Sequence, residues 1–311
     1  MSLFLLALAG AVIPCLLWLW FFYSRDRHDP EPIGLIIRLF LIGALPVAFV
    51  AGIVNAVALL VIAGGDLSGD RALLLLPVLA IGIAPVTEET LKYWGAKLGA
   101  WRSRAFNEPM DGIIYGTTVG LGFAAAETTD YLVQAWMGVG PLGSPIDFCD
   151  AGLECFAVTA FLRGMGSAVL HATASGIAGY GMSRRRLEGR PVTTAIGFVL
   201  LAMVVHALWN TASFLVLVIP VVVYAQLVKG ALERSPFVAR AVVPERYWVP
   251  ERFGVPGTWP TGGAPAEWRG GPPPPGSRPP TWPAPPPPTQ APRRPGGPSG
   301  PPGPDRGPSS P

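Results

Sequence analysis

The sequence predicts an all-α fold, a polytopic bundle of about seven transmembrane helices followed by a disordered, proline-rich C-terminal tail. Three observations predict it. Only 14% of the 311 residues are charged while 50% are hydrophobic, whereas a soluble domain carries about 25% charged residues. Prolines are segregated, with 25 of the 36 at or after Ala231. Apolar stretches of bilayer length recur through the first 230 residues, which hold 15 acidic and 14 basic side chains. That is too few charges to cover a soluble protein of this length. The composition also excludes a collagen, a wholly disordered chain and a disulfide-stapled secreted domain. Two regions follow: a membrane domain over 1–230 and a Pro/Gly-rich cytoplasmic tail over 231–311.

A crossing helix needs about 20 apolar residues, and seven segments supply them: 3–23, 33–62, 72–98, 112–137, 156–182, 192–210 and 213–229. The first has no Lys or Arg before it and no small-residue cleavage site, so it reads as a retained span. The last two are separated by length. A single helix from Val192 to Lys229 would run about 57 Å, almost twice the membrane core, so a turn is expected near Asn210 to Ser213. Alternate loops differ sharply in basic residues. One set holds Arg25 and Arg27, then Lys92, Lys97, Arg102 and Arg104, then Arg184, Arg185, Arg186 and Arg190; the other holds Arg71 alone. This bias places the N-terminus outside and the C-terminal tail in the cytoplasm. Cys149 and Cys155 fall in the 138–155 loop on the oxidising side, where a disulfide is expected. Cys15 reads as a buried apolar residue.

After Ala231 the chain is Pro, Gly, Trp and Arg without period. It cannot bury enough apolar surface to offset its ordering entropy, so it reads as a solvated tether that can dock a cytoplasmic partner. Nucleic acid is not an expected partner, because no basic run is interleaved with aromatics. Lipid bilayer is.

The informative residues are polar groups at membrane depth, where a charge costs about 2.5 kcal/mol or more unless it has a partner, a water cavity or a function. Glu88, Glu89 and Lys92 form one cluster in the third span. Two carboxylates share one ammonium at helical spacing, leaving one available as a general base. In Asp111-Gly-Ile-Ile-Tyr115-Gly, followed by Gly120-Leu-Gly-Phe123 and Glu127, the small residues Gly116 and Gly120 let a neighbouring backbone approach. Glu127 lies about 24 Å into its helix, with Asp130 and Tyr131 following. His171 and His206 each lie about 15 residues into a span, approached from opposite sides. His171 shares a face with Ser175, and His206 with Asn210. Arg163 is placed to pair with Glu127 or Asp130.

Carboxylates and imidazoles inside a bilayer suit water activation for peptide-bond hydrolysis, with His171 and His206 stabilising the oxyanion. The same groups offer a second reading, in which Glu127, His171 and His206 bind Zn²⁺ with water in an open position. No span carries His-Glu-x-x-His, and no Gly-x-Ser-x-Gly elbow or phosphate-cradling loop occurs. A proton-coupled transporter or channel would use a similar Glu/His relay. It would also be built from an inverted repeat, and no self-similar half is visible.

The ordered motifs Glu88-Glu89-x-x-Lys92, Asp111 through Tyr115-Gly, Phe123-x-x-x-Glu127, His171 in its Thr/Ser/Gly-rich setting and His206-x-x-Trp209-Asn210 resemble the PrsW-type intramembrane proteases, distant relatives of CAAX prenyl endopeptidases and bacteriocin-processing proteins. The resemblance covers roughly residues 30 to 229. It implies an endopeptidase of the bacterial cytoplasmic membrane acting on a single-span membrane protein, with anti-sigma factors in the substrate class. It further implies Glu88, Glu89, Glu127, His171 and His206 as catalytic residues, with Lys92 and Asn210 supporting. Family members are called both metalloproteases and glutamic proteases; the double glutamate favours the glutamic type.

Overall fold

The computed structural model describes residues 2–238 except 28, 68–69, 141–145, 147–148 and 213–215. All of them belong to one unit, residues 1–270. The tail beyond 238, with the partner docking expected of it, lies outside the described residues. Among the described residues every regular element is helical.

Among the described residues seven helices follow in order: α1 (Leu3–Tyr23), α2 (Ile33–Ile62), α3 (Leu73–Ala100), α4 (Pro109–Met137), α5 (Leu153–Leu187), α6 (Val192–Ala212) and α7 (Val218–Leu232). α1, α2, α3, α5 and α6 are long and apolar enough to cross a membrane. They turn Trp20, Phe49, Leu74 and Leu98 outward, as a lipid-facing surface requires. The chain is thus a multi-pass membrane protein. α4 is long enough at 29 residues but is rich in Gly, Thr and Ala, and buried along most of its length. It is the axis of the bundle, sheathed by α1, α2 and α5.

The seventh segment departs from expectation. Its helix starts at Val218 rather than 213 and has 15 residues, about 22 Å, short of the hydrocarbon thickness. α6 ends at Ala212, within the expected turn region of Asn210 to Ser213. The aliphatic run from Phe214 to Val223 has no periodicity that would have fixed the boundary.

Glycine makes the packing of α4 possible. A Cβ on Gly116 would lie 2.1 Å from the Ser175 carbonyl oxygen, and one on Gly120 2.3 Å from that of His171. α4 and α5 therefore touch backbone to backbone, as the small-residue spacing predicted. On the other side of α4, Gly122 meets the Phe40 carbonyl and Gly43 that of Val119, so α2 is seated equally closely.

Three helices contain a single π-helical turn: Gly43–Val47 in α2, Leu79–Ile83 in α3 and Arg163–Ser167 in α5. Such turns redirect a helix and free backbone groups, and they concentrate near functional sites. Pro46 lies within the first and Pro77 just before the second, each removing a backbone donor. In the 138–155 loop, Cys149 and Cys155 form a disulfide, as expected, and Cys15 is free and buried.

Candidate active site

The π-turn of α3 precedes Glu88 and Glu89 by little more than one helical turn, and that of α5 ends four residues before His171. From these helices, with α4 and α6, the predicted residues come together. Lys92 is at the centre. Its Nζ donates to Glu89 Oε1 at 2.8 Å and Glu88 Oε2 at 3.4 Å. It also lies 2.7 Å from His171 Nδ1 and 4.0 Å from the Phe123 ring centroid. An amine there donates, so Nδ1 of His171 accepts and Nε2–H points to Glu127 Oε2, 3.0 Å away. The network thereby selects the tautomer of His171.

Glu89 is fully enclosed. Besides Lys92 it accepts from Ser175 Oγ at 3.2 Å and from His206 Nδ1 at 2.9 Å. With Nδ1 committed as donor, His206 presents the Nε2 lone pair toward Glu88 Oε2, 3.9 Å away. That is too long for a direct hydrogen bond and suits a shared water. The two imidazoles meet edge to face at 5.0 Å between centroids. Glu88 is the less encumbered carboxylate, receiving among the described residues Asn55 Nδ2 at 3.3 Å and the long bond from Lys92.

Glu127 stands at the more open side, its side chain 26% exposed. Arg163 pairs with it, resolving the choice between Glu127 and Asp130, and also donates to Thr128 Oγ1 and Ser167 Oγ, both at 3.1 Å. Its guanidinium lies over the Tyr131 ring. Asp130 instead accepts from Gln134. The sequence reading placed Glu127 with the two histidines as a metal set. The ligand atoms that lie within 4.8 Å of one another belong to Glu88, His171 and His206; Arg163 holds Glu127 to one side. One carboxylate and two imidazoles match the donor set of catalytic zinc sites.

Asn210 does not reach these groups. It donates to the Ala80 carbonyl at 2.6 Å, a backbone acceptor in the π-turn of α3, so it ties α6 to the helix carrying Glu88 and Glu89. Asn55 was not singled out from sequence. The signal was there, since it is the one amide in the apolar run Ala48–Ile62.

The sequence profile described as PrsW family intramembrane metalloprotease matches residues 31–231. The chain is 31% identical to Protease PrsW of Geobacillus kaustophilus over 129 residues, covering 40% of this chain and 52% of that protein. It is 28% identical to Protease PrsW of Bacillus subtilis over 129 residues, 40% of this chain and 53% of the relative. A longer match, 26% over 205 residues, links it to Protease PrsW of Oceanobacillus iheyensis, covering 65% of this chain and 80% of that one. The chain spans about half the length of the first two relatives. No solved structure matches it significantly.

Proposed function

This chain belongs to the PrsW family of intramembrane metalloproteases, and on that premise we propose that it is an endopeptidase that hydrolyses a peptide bond of a single-span membrane protein, anti-sigma factors being the substrate class. Its place is the bacterial cytoplasmic membrane, with the C-terminal tail in the cytoplasm. The observation that carries the reading is the convergence of Glu88, His171 and His206 within 4.8 Å, in a protein whose outer helices face lipid.

Glu88 takes a proton from a water shared with His206 Nε2, and the water oxygen attacks the scissile carbonyl carbon. The proton then passes to the amide nitrogen as the C–N bond breaks. Glu89 holds His206 in the tautomer this requires, Lys92 supplies positive charge for the oxyanion, and His171, fixed by Glu127, orients Lys92 through Nδ1. Glu127 and Arg163, on the more open side, position the incoming backbone. Lys92 Nζ, 2.7 Å from His171 Nδ1 and 3.4 Å from Glu88 Oε2, supports this carboxylate form, because an ammonium against those two side chains repels a divalent cation held by them.

A second reading rests on the same donor set. Glu88, His171 and His206 would hold Zn²⁺, which when bound acidifies a water and polarises a carbonyl. The family description supports it. One experiment serves both readings: reconstitute the full chain in proteoliposomes with a single-span reporter and follow cleavage. Glu88→Gln and His206→Ala are each expected to lose 100-fold or more, an effect on the order of general acid–base catalysis. Wild-type rates in either variant overturn the assignment. Loss of activity on chelation, restored by Zn²⁺, selects the metal form; indifference to chelator selects the carboxylate form.

A further inference from the structure

A second group of carboxylates lies at the other end of α4, and the proposed reaction does not use it. Asp26 follows α1, Glu31 precedes α2, and Glu108 and Asp111 flank the start of α4; each is 3% exposed or less. Asp111 and Glu127 are 16 residues apart on one helix, about 24 Å, so this cluster is separate from the catalytic groups. One ligand oxygen from each of Asp26, Glu108 and Asp111 lies within 4.8 Å of the others.

Among the described residues, the partners of Glu31, Glu108 and Asp111 do not neutralise them. Asp111 Oδ2 accepts the backbone N–H of Asn107 at 2.6 Å and of Glu108 at 2.8 Å. Tyr115 Oη donates to Glu31 Oε2 at 2.5 Å. Among the described residues, Glu31 Oε1 and Asp111 Oδ1 have no hydrogen-bond donor, and the Glu108 carboxylate has the Ser235 hydroxyl as its side-chain donor. Among the described residues no Lys or Arg pairs with Glu31, Glu108 or Asp111. The Arg186 guanidinium nearby spends its donors on the carbonyls of Ala100, Trp101 and Ser103. Burial, over the opposing hydrogen bond from Tyr115, pushes Glu31 up to about 7, and burial pushes Glu108 up to about 8. Enclosed anions with unclaimed oxygens aimed at one another need either shared protons or a cation.

We propose that Asp26, Glu108 and Asp111, with Glu31 alongside, form a binding site for a hard divalent cation that clamps the α1–α2 connection to the start of α4. All-oxygen, all-carboxylate ligation selects Ca²⁺ or Mg²⁺ over softer metals. The 2.3–2.6 Å bonds of Ca²⁺ ask these oxygens to move less than the 2.0–2.1 Å bonds of Mg²⁺ do.

The test uses the full chain in detergent, stripped with chelator, then given CaCl₂ or MgCl₂ in parallel while the unfolding midpoint is followed by intrinsic fluorescence. The wild type is expected to rise by about 5 °C or more at saturation with at least one ion. Glu108→Gln is expected to match or exceed the stripped wild type and to lose most of that rise. Glu88→Gln and His206→Ala are expected to keep it, which separates this site from a catalytic metal. No rise with either ion, or an undiminished rise in both Glu108→Gln and Asp26→Asn, overturns the proposal. Should the variants fail to fold, Tb³⁺ emission sensitised by Tyr115 in the wild type decides: displacement by Ca²⁺ or Mg²⁺ supports the site, and no displaceable emission overturns it.

Discussion

α4 carries buried carboxylates at both ends, and the two ends solve the same problem differently. Around Glu127, toward one end, acid is matched by base: Lys92 serves Glu88 and Glu89, Arg163 serves Glu127, and two imidazoles bridge the rest. Around Asp111, at the other, backbone N–H groups, a phenol and the Ser235 hydroxyl are the described donors. The first arrangement gives each of its three carboxylates a basic partner and holds its side chains in one geometry. The second is complete only when something positive arrives. The contrast separates a preorganised reaction site from a site built to be occupied.

Neutralising a charge should therefore act oppositely at the two ends. Lys92→Met strands Glu88 and Glu89 without their shared cation in an enclosed site, and is expected to cost about 3–5 kcal/mol of stability, read as a lowered unfolding midpoint in detergent. An unchanged midpoint would mean that the cluster is wetter than its burial indicates. Glu31→Gln removes like-charge repulsion while keeping an acceptor for Tyr115. In chelator it is expected to stabilise by on the order of 1 kcal/mol, a fraction of the bare repulsion between such charges at an effective dielectric near 20. Destabilisation there would erase the distinction drawn between the ends. Truncation after Val238 removes none of the residues named in either cluster, and cleavage of the reporter is expected to stay within about twofold of wild type.

The site was more legible in the sequence than its internal geometry. Glu88, Glu89, Lys92, Glu127, His171 and His206 stood out because each is costly in an apolar helix, and they meet. The exchange of partners did not stand out. Which glutamate approaches both imidazoles depends on helix rotation and on the π-turns at Leu79–Ile83 and Arg163–Ser167, and periodicity does not encode either. Asn55 escaped notice as a neutral amide. The acidic cluster escaped because Asp26 and Glu31 look like ordinary loop charges until folding brings them beside Asp111. The helical fold and its proline-rich boundary were readable from composition, while the start of α7 was hidden in a uniform aliphatic run.

The glycine seam also bears on inhibitor design. Gly120 lies against the main chain of His171 itself, so the wall behind that imidazole has no give and offers no side chain to displace. A small molecule, or a variant meant to accept a bulkier substrate, has to gain its room from the lipid-facing flank formed by α2 and α3.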